Sequence, residues 1–216
     1  MRKIFILTAV LALFANTVMA QFGVRAGINI ATLGKDLDNT DPQIGYNVGL
    51  IYDINLTGAL YLQPGVFLNM KGGKIEQKTG VAIYGEDFSS SEINAKLNYL
   101  EIPIDFKLKV DASIFKFDIF AGPFISYGLF GKTEVEGSLL NLATWKEEYN
   151  SFKDNGFKNF DWGFQFGAGW YYGEHLYIGA GYDLGLQNIS ELKEKLNGDK
   201  FKGTTGTFIV WLGYSF

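Results

Sequence analysis

Apolar and polar or small positions alternate one by one along most of this 216-residue chain, the period of a strand whose two faces meet different surroundings. In the first stretch Phe22, Val24, Ala26, Ile28 and Ile30 alternate with Gly23, Arg25, Gly27 and Asn29. The second sets Ile44, Tyr46, Val48, Leu50 and Tyr52 against Gly45, Asn47, Gly49 and Asp53. The third sets Leu60, Leu62, Val66, Leu68 and Met70 against Tyr61, Gln63, Gly65, Asn69 and Lys71. The fourth opposes Leu100 to Leu108, every second residue, to Tyr99, Glu101, Pro103, Asp105 and Lys107. The fifth opposes Phe117, Ile119, Ala121, Pro123, Ile125 and Tyr127 to Lys116, Asp118, Gly122 and Ser126. Three more follow, carrying Phe160 to Trp170, Leu176 to Leu184 and Phe208 to Phe216 on their apolar faces, with Asp161, Asp183 and Trp211 among the facing residues.

These eight segments run to roughly 9–14 residues, whereas soluble strands cluster near 5–6 and a tilted membrane strand needs about 9–11. Long connections are expected near 31–43, 72–96, 129–158 and 187–204, and short ones near 54–59, 110–113 and 173–175. Short periplasmic turns alternating with long extracellular loops are the outer-membrane pattern, and aromatics at strand ends such as Tyr52, Tyr127, Trp170, Tyr172, Tyr214 and Phe216 suit its interfacial girdles. The expected fold is therefore all-β: an eight-stranded antiparallel up-and-down transmembrane β-barrel.

The first 20 residues read differently. Arg2 and Lys3 precede the apolar run Ile4 to Phe14, and Val18-Met19-Ala20 ends in a small residue. That is the layout of a cleaved signal peptide, with residues 21–216 as the barrel domain. No Cys follows Ala20, so a lipoprotein anchor is not expected. Beyond that segment no apolar run reaches the length of a membrane helix, so entry into a bilayer requires a closed barrel. The 27 Gly, 12 Tyr and 19 Phe fit close strand packing and interfacial rings. A formal charge of −4 gives no reason to expect nucleic acid as a partner. A soluble eight-stranded carrier is the rival fold, but it would need the Phe/Leu/Val stripe inside and the charges in water.

If the polar face points inward, it fills a lumen just wide enough for side chains. Arg25, Lys107 and Lys116 would then meet Glu101, Asp105, Asp118, Asp161 and Asp183, with Asp53 and Lys71 on the same face. Enclosed charge must be paired, so a sealing network is the first expectation and an ion pathway the second. Enzymatic activity is not expected. His175 is the only histidine and falls at a short turn on the periplasmic side, and there is no Cys. No ordinary zinc site is therefore available, and Asp36, Asp38 and Asp41 lack the spacing of a calcium loop. No cofactor is expected. Leu139, Leu142, Trp145, Tyr149 and Phe152 recur at helical spacing, as do Ile189, Leu192 and Leu196 after Ser190, so short loop helices are expected there, first as caps over the barrel mouth and second as an extracellular contact surface. Pro103 and Pro123 within strands suggest bulges or bends.

Five short motifs lie in order: Leu62-Gln63-Pro64, Tyr99-Leu100-Glu101-Ile102-Pro103, Ala121-Gly122-Pro123, Phe160-Asp161-Trp162-Gly163 with Gly167-Ala168-Gly169, and Tyr182-Asp183-Leu184-Gly185-Leu186. With them the chain resembles the Bacteroidetes-type small outer-membrane β-barrel family, the porin-like and PorT-like proteins. Gly65 departs from the acidic residue common there after Gln-Pro. The resemblance implies fold, outer-membrane lipid as surroundings, and recognition by the outer-membrane assembly machinery of an ending like Trp211, Tyr214 and Phe216. It implies little about activity. A structural or surface-interaction barrel, a narrow channel and a secretion-accessory barrel are the functions in competition.

Overall fold

A computed structural model describes residues 21–34, 40–78, 89–112, 115–139, 143–152, 157–189 and 203–216. The expected signal segment, and Leu142, Leu192 and Leu196, lie outside them. The strands are β1 (Gln21–Leu33), β2 (Thr40–Asp41), β3 (Gln43–Thr57), β4 (Leu60–Lys78), β5 (Ser89–Ala112), β6 (Phe115–Leu139), β7 (Ala143–Asn150), β8 (Phe160–Tyr172), β9 (Leu176–Gly185) and β10 (Thr205–Ser215). Eight of them close a ring. Each of β1, β3, β4, β5, β6, β8, β9 and β10 pairs antiparallel with its neighbours, and β10 returns to β1 through Val24↔Tyr214 to Leu33↔Thr205. Closure leaves no sheet edge within the wall, which is what a lipid surrounding demands.

The facing follows the alternation. Along β8 the burial strictly alternates from Phe160 to Phe166, with Asp161, Gly163 and Gln165 enclosed and Trp162, Phe164 and Phe166 on the outside. The same holds on β10, where Phe208, Val210, Leu212 and Tyr214 face out. An apolar exterior and a charged interior are the reverse of a soluble carrier. Glycines line the inner wall where larger side chains lie over it. A Cβ on Gly179 would lie 2.5 Å from Cζ2 of the Trp211 ring.

One end has short turns at Gly58–Ala59 and Gly173–His175, and the start of β1 meets the end of β10 there, with Phe216 N–H donating to Phe22 O at 2.8 Å. Gly58 and Gly173 adopt φ of 49° and 71°, a left-handed backbone that glycine takes without a Cβ penalty. This is the periplasmic end. Rings gather there: Phe22 with Tyr52 at 4.6 Å, Phe115 with Trp170 at 5.8 Å, and Tyr214 with Phe216 at 5.2 Å.

The opposite end departs from the sequence expectation. Most of 72–96 and much of 129–158 is not loop. β5 and β6 have 24 and 25 residues, more than twice the membrane requirement of about 9–11. They stay paired from Ala112↔Phe115 up to Ser89↔Leu139, while β4 follows to Lys78↔Ser90. The segment with helical spacing from Leu139 is a strand: β7 pairs with β6 from Leu139↔Ala143 to Lys132↔Asn150. A ready-made edge above the barrel outcompeted a weak local period. Ile189 is in no helix; it is buried in an irregular segment after β9. At Pro103 and Pro123 no bulge forms, although the β5–β6 pairing is interrupted between Pro103↔Phe124 and Phe106↔Ala121. The two prolines pair with Phe124 and Phe164 without a change of register, and the β5–β6 shift lies at Asn98/Tyr99 instead.

Candidate functional site: the enclosed polar lumen

The lumen is built by inward positions of all eight barrel strands. Arg25, Lys71, Lys107, Asp53, Glu101, Asp105, Asp118, Asp161 and Asp183 are each no more than 5% exposed. Seven of the eight expected network residues are therefore enclosed. Lys116 is the exception. It has inward parity, but it sits at the periplasmic rim with its side chain 54% exposed, 3.5 Å from Asp111. Alternation gives the side a residue faces and not its depth, and Lys116 lies one residue from the start of its strand.

Toward the extracellular half the centre is Lys71. Its ammonium is 2.6 Å from Glu101 Oε2 and 3.8 Å from Asp161 Oδ2, and it stands 4.1 Å over the Phe124 ring. Glu101 also accepts from Asn69 Nδ2 at 3.1 Å and from Ser126 Oγ at 3.0 Å. Asp161 accepts from Thr205 Oγ1 at 2.8 Å. Asn69 Nδ2 reaches Asp183 at 3.3 Å, and Asn29 bridges to Asn69 and to the carbonyls of Tyr46 and Met70. Five strands thus converge on one ammonium and its carboxylates.

Midway, the Arg25 guanidinium lies between two rings, 4.3 Å from the centroid of Phe67 and 4.4 Å from that of Trp211. Such cation–π contacts strengthen when desolvated. Asp105, one of the enclosed carboxylates, accepts from Gln165 Nε2 at 2.6 Å. Trp211 therefore belongs to the lumen, while Tyr214 and Phe216, expected with it as a terminal signal, face outward. At the periplasmic end Lys107 lies 3.4 Å from Asp53 and 3.5 Å from Asp118, and Lys109 lies 2.8 Å from Asp53. Tyr171 and Tyr177 pack together beneath them at 5.4 Å. Arg25 Nε, Asp105 Oδ1, Tyr177 OH and Trp211 Nε1 have no hydrogen-bond partner among the described residues; groups of this kind are commonly met by internal water.

A second element of the site was legible only in part, through Phe152 and Ile189 as residues capping the barrel mouth. Over the extracellular mouth, Leu33, Ala95, Leu97, Tyr99, Phe157 and Ile189 form a buried apolar cluster with Phe152 against it. Loop backbone holds it in place: Phe157 N–H donates to Ser151 O at 2.9 Å, Lys158 N–H to Ile189 O at 2.8 Å, and Ile189 N–H to Gly203 O at 2.8 Å. Tyr99 OH donates to Lys158 O at 3.2 Å. The signal in the sequence was the hydrophobic Phe152, Phe157 and Ile189 within polar connections. Outside the membrane, Glu148 accepts a hydrogen bond from Lys132 and holds that ammonium above its ordinary value.

Among the described residues, no group of three or more His, Cys, Asp or Glu is placed to hold a metal ion. His175 lies in the β8–β9 turn, its Nδ1 2.7 Å from Ser215 O and its ring stacked on Tyr214. The enclosed groups described above are held in charge pairs and hydrogen bonds.

Comparison with known proteins agrees with this architecture. The sequence profile described as outer membrane protein beta-barrel domain matches residues 14–191. No curated protein matches. Among solved structures, the chain is similar to Ail, the attachment invasion locus protein of Yersinia pestis, at 12% identity and a TM-score of 0.43, covering 91% of this chain and 99% of that one. Neisserial surface protein A is similar at 11% identity and a TM-score of 0.45, with the same coverage. OprG of Pseudomonas aeruginosa is similar at 13% identity and 0.43, covering 91% of this chain and 96% of that one.

Proposed function

Because this chain belongs to the family of outer membrane protein β-barrel domains, an integral barrel of the cell outer membrane, we propose that it is a closed-lumen barrel that holds a surface-interaction platform above the membrane. The observation that carries this reading is the filled interior. Lys71 is fully buried between Glu101 and Asp161, the Arg25 clamp lies between Phe67 and Trp211, and an apolar cluster covers the extracellular mouth. An ion would have to break buried pairs to pass, and breaking such a pair costs about 3–5 kcal/mol.

The platform is the sheet that β4, β5, β6 and β7 continue beyond the bilayer. The reading includes no catalytic step. It takes Tyr214 and Phe216, outward at the end of β10, as the residues the assembly machinery recognises. The five motifs from Leu62-Gln63-Pro64 to Tyr182-Asp183-Leu184-Gly185-Leu186 support the finer Bacteroidetes-type, PorT-like assignment.

The test is planar-bilayer recording of the folded barrel. The expected result is no stable conductance under an applied potential. Reproducible, ion-selective steps would overturn the closed-lumen reading in favour of a narrow channel.

A further inference from the structure

The outward face of the tall wall changes character where it leaves the lipid. On β5 the outward residues Leu108, Phe106, Ile104, Ile102 and Leu100 carry no charge, and Asn98 and then Lys96 follow them on the same face. On β6 the uncharged run ends with Tyr127, Leu129 and Phe130, each about half exposed, and Lys132 follows. The register shift at Asn98/Tyr99 is what turns both Leu129 and Phe130 outward. Tyr46 marks the boundary. Its hydroxyl donates to Asn98 Oδ1 at 2.8 Å, the polar tip of a ring whose body faces lipid. On two neighbouring strands, then, the first outward charge above the lipid is a lysine. β4 repeats this one row higher, with Lys74 after Met70 and Gly72.

Lys96 and Lys132 are direct partners in the β5–β6 ladder, so their side chains leave the same face side by side. Like charges set opposite each other destabilise a sheet, and an anion between them removes that cost. Lys132 is held by Glu148, but both side chains are about half exposed or more, and an exposed ion pair is worth little. Lys96 is partly covered and has no ion pair among the described residues. The carboxylates of this face, Glu134, Glu148 and Glu136, stand one or two rows farther from the bilayer. On the side toward the lipid the pair meets only Asn98 and Phe130, in the next row.

An anion that reaches this pair from the membrane side is part of a lipid. The extracellular leaflet of an outer membrane is built of glycolipid that carries phosphate on its sugars, directly above the acyl chains. Lysine binds phosphate as a point charge, and two lysines on adjacent strands can share one. We propose that Lys96 and Lys132 hold a phosphate of one outer-leaflet glycolipid, whose acyl chains lie over Leu129, Phe130 and Ile102. The two cations and the lipid-facing residues below them belong to one continuous outward face. The site lies outside the barrel and does not depend on whether the lumen conducts.

The experiment uses the full-length barrel folded into phosphatidylcholine bilayers doped with bisphosphorylated lipid A, with the same lipid A stripped of its phosphates, or with phosphatidylglycerol. The barrel is extracted gently and weighed by native mass spectrometry. The wild type is expected to retain one bisphosphorylated lipid A. Lys96→Gln is expected to retain it about fivefold less, the change for one cation near an anionic surface. Lys96→Gln/Lys132→Gln is expected to retain it no better than the stripped form, and Lys96→Arg to behave as wild type. Lys116→Gln, at the periplasmic mouth, is expected to change nothing. Heat-modifiable migration checks the fold of each variant, and if the double variant does not fold, Lys96→Gln still decides. Equal retention by folded Lys96→Gln and wild type overturns the proposal. So does equal retention of the stripped lipid or of phosphatidylglycerol, or release of lipid A by excess inorganic phosphate, which would mark a site for the free ion.

Discussion

At the scale of single residues, the lumen holds more negative than positive groups. Six enclosed carboxylates face the three enclosed cations Arg25, Lys71 and Lys107; Lys71 and Lys107 each meet two carboxylates, while Arg25 lies between two rings. Lys71 touches both Glu101 and Asp161 and is fully buried. Lys71→Met keeps much of the volume and removes the charge, leaving two carboxylates without a counter-ion. The expected loss is about 3–5 kcal/mol, read as a lower denaturant midpoint for unfolding of the barrel in lipid. A double variant Lys71→Met/Glu101→Gln is expected to recover part of it, because one of the orphaned charges is gone. Which side each of these residues faces was legible in the alternation. Their mutual contacts were not. Asn29 meets Asn69, 40 residues away, and Asn69 meets Asp183, 114 residues away. Such contacts across the lumen depend on strand tilt and stagger, which have no local signature.

At the scale of the element, each strand is a boundary between two solvents. Ile119 and Val210 are half exposed on the lipid side, in the same row of the wall. A basic residue at the bilayer midplane costs roughly 2–4 kcal/mol in such barrels. Ile119→Arg and Val210→Arg are therefore expected to lower the folded fraction, seen as loss of the heat-modifiable band. Normal migration of both would contradict the facing. Strand identity was readable because period 2 is strong when one side is lipid. Strand length was not. Above the bilayer the alternation continues but its phase inverts: Ala95, Leu97 and Tyr99 of β5 are buried at the same parity as Glu101, so the apolar face turns inward where the membrane segment turns it outward. The helical spacing around Trp145 is the same failure in reverse: apolar residues at intervals of three or four carried no weight against a full ladder with β6.

At the scale of the whole molecule, a short barrel carries a tall, one-sided wall. Strands β9 and β10 have 10 and 11 residues, whereas β5 and β6 have 24 and 25 and continue past them. Contacts that close the ring lie below the extension, so the two parts are energetically separable. Replacing residues 75–92 by a two-residue turn is expected to leave the thermal midpoint of the heat-modifiable band unchanged within a few degrees. It is also expected to abolish any surface interaction the wall mediates. A large fall in the midpoint would show that the wall helps to hold the ring closed.

The Arg25 clamp bears on how the barrel assembles. Arg25 belongs to β1, Trp211 to β10 and Phe67 to β4. The first and last strands meet only when the ring closes, so until then the guanidinium has at most one of its two rings. An open sheet that entered the hydrocarbon would carry that charge half covered, together with an unpaired edge on each terminal strand. The seam between β1 and β10 therefore acts as a latch. Desolvation of Arg25 and pairing of the two edges become a single event, and a half-zipped barrel is penalised twice for the same gap.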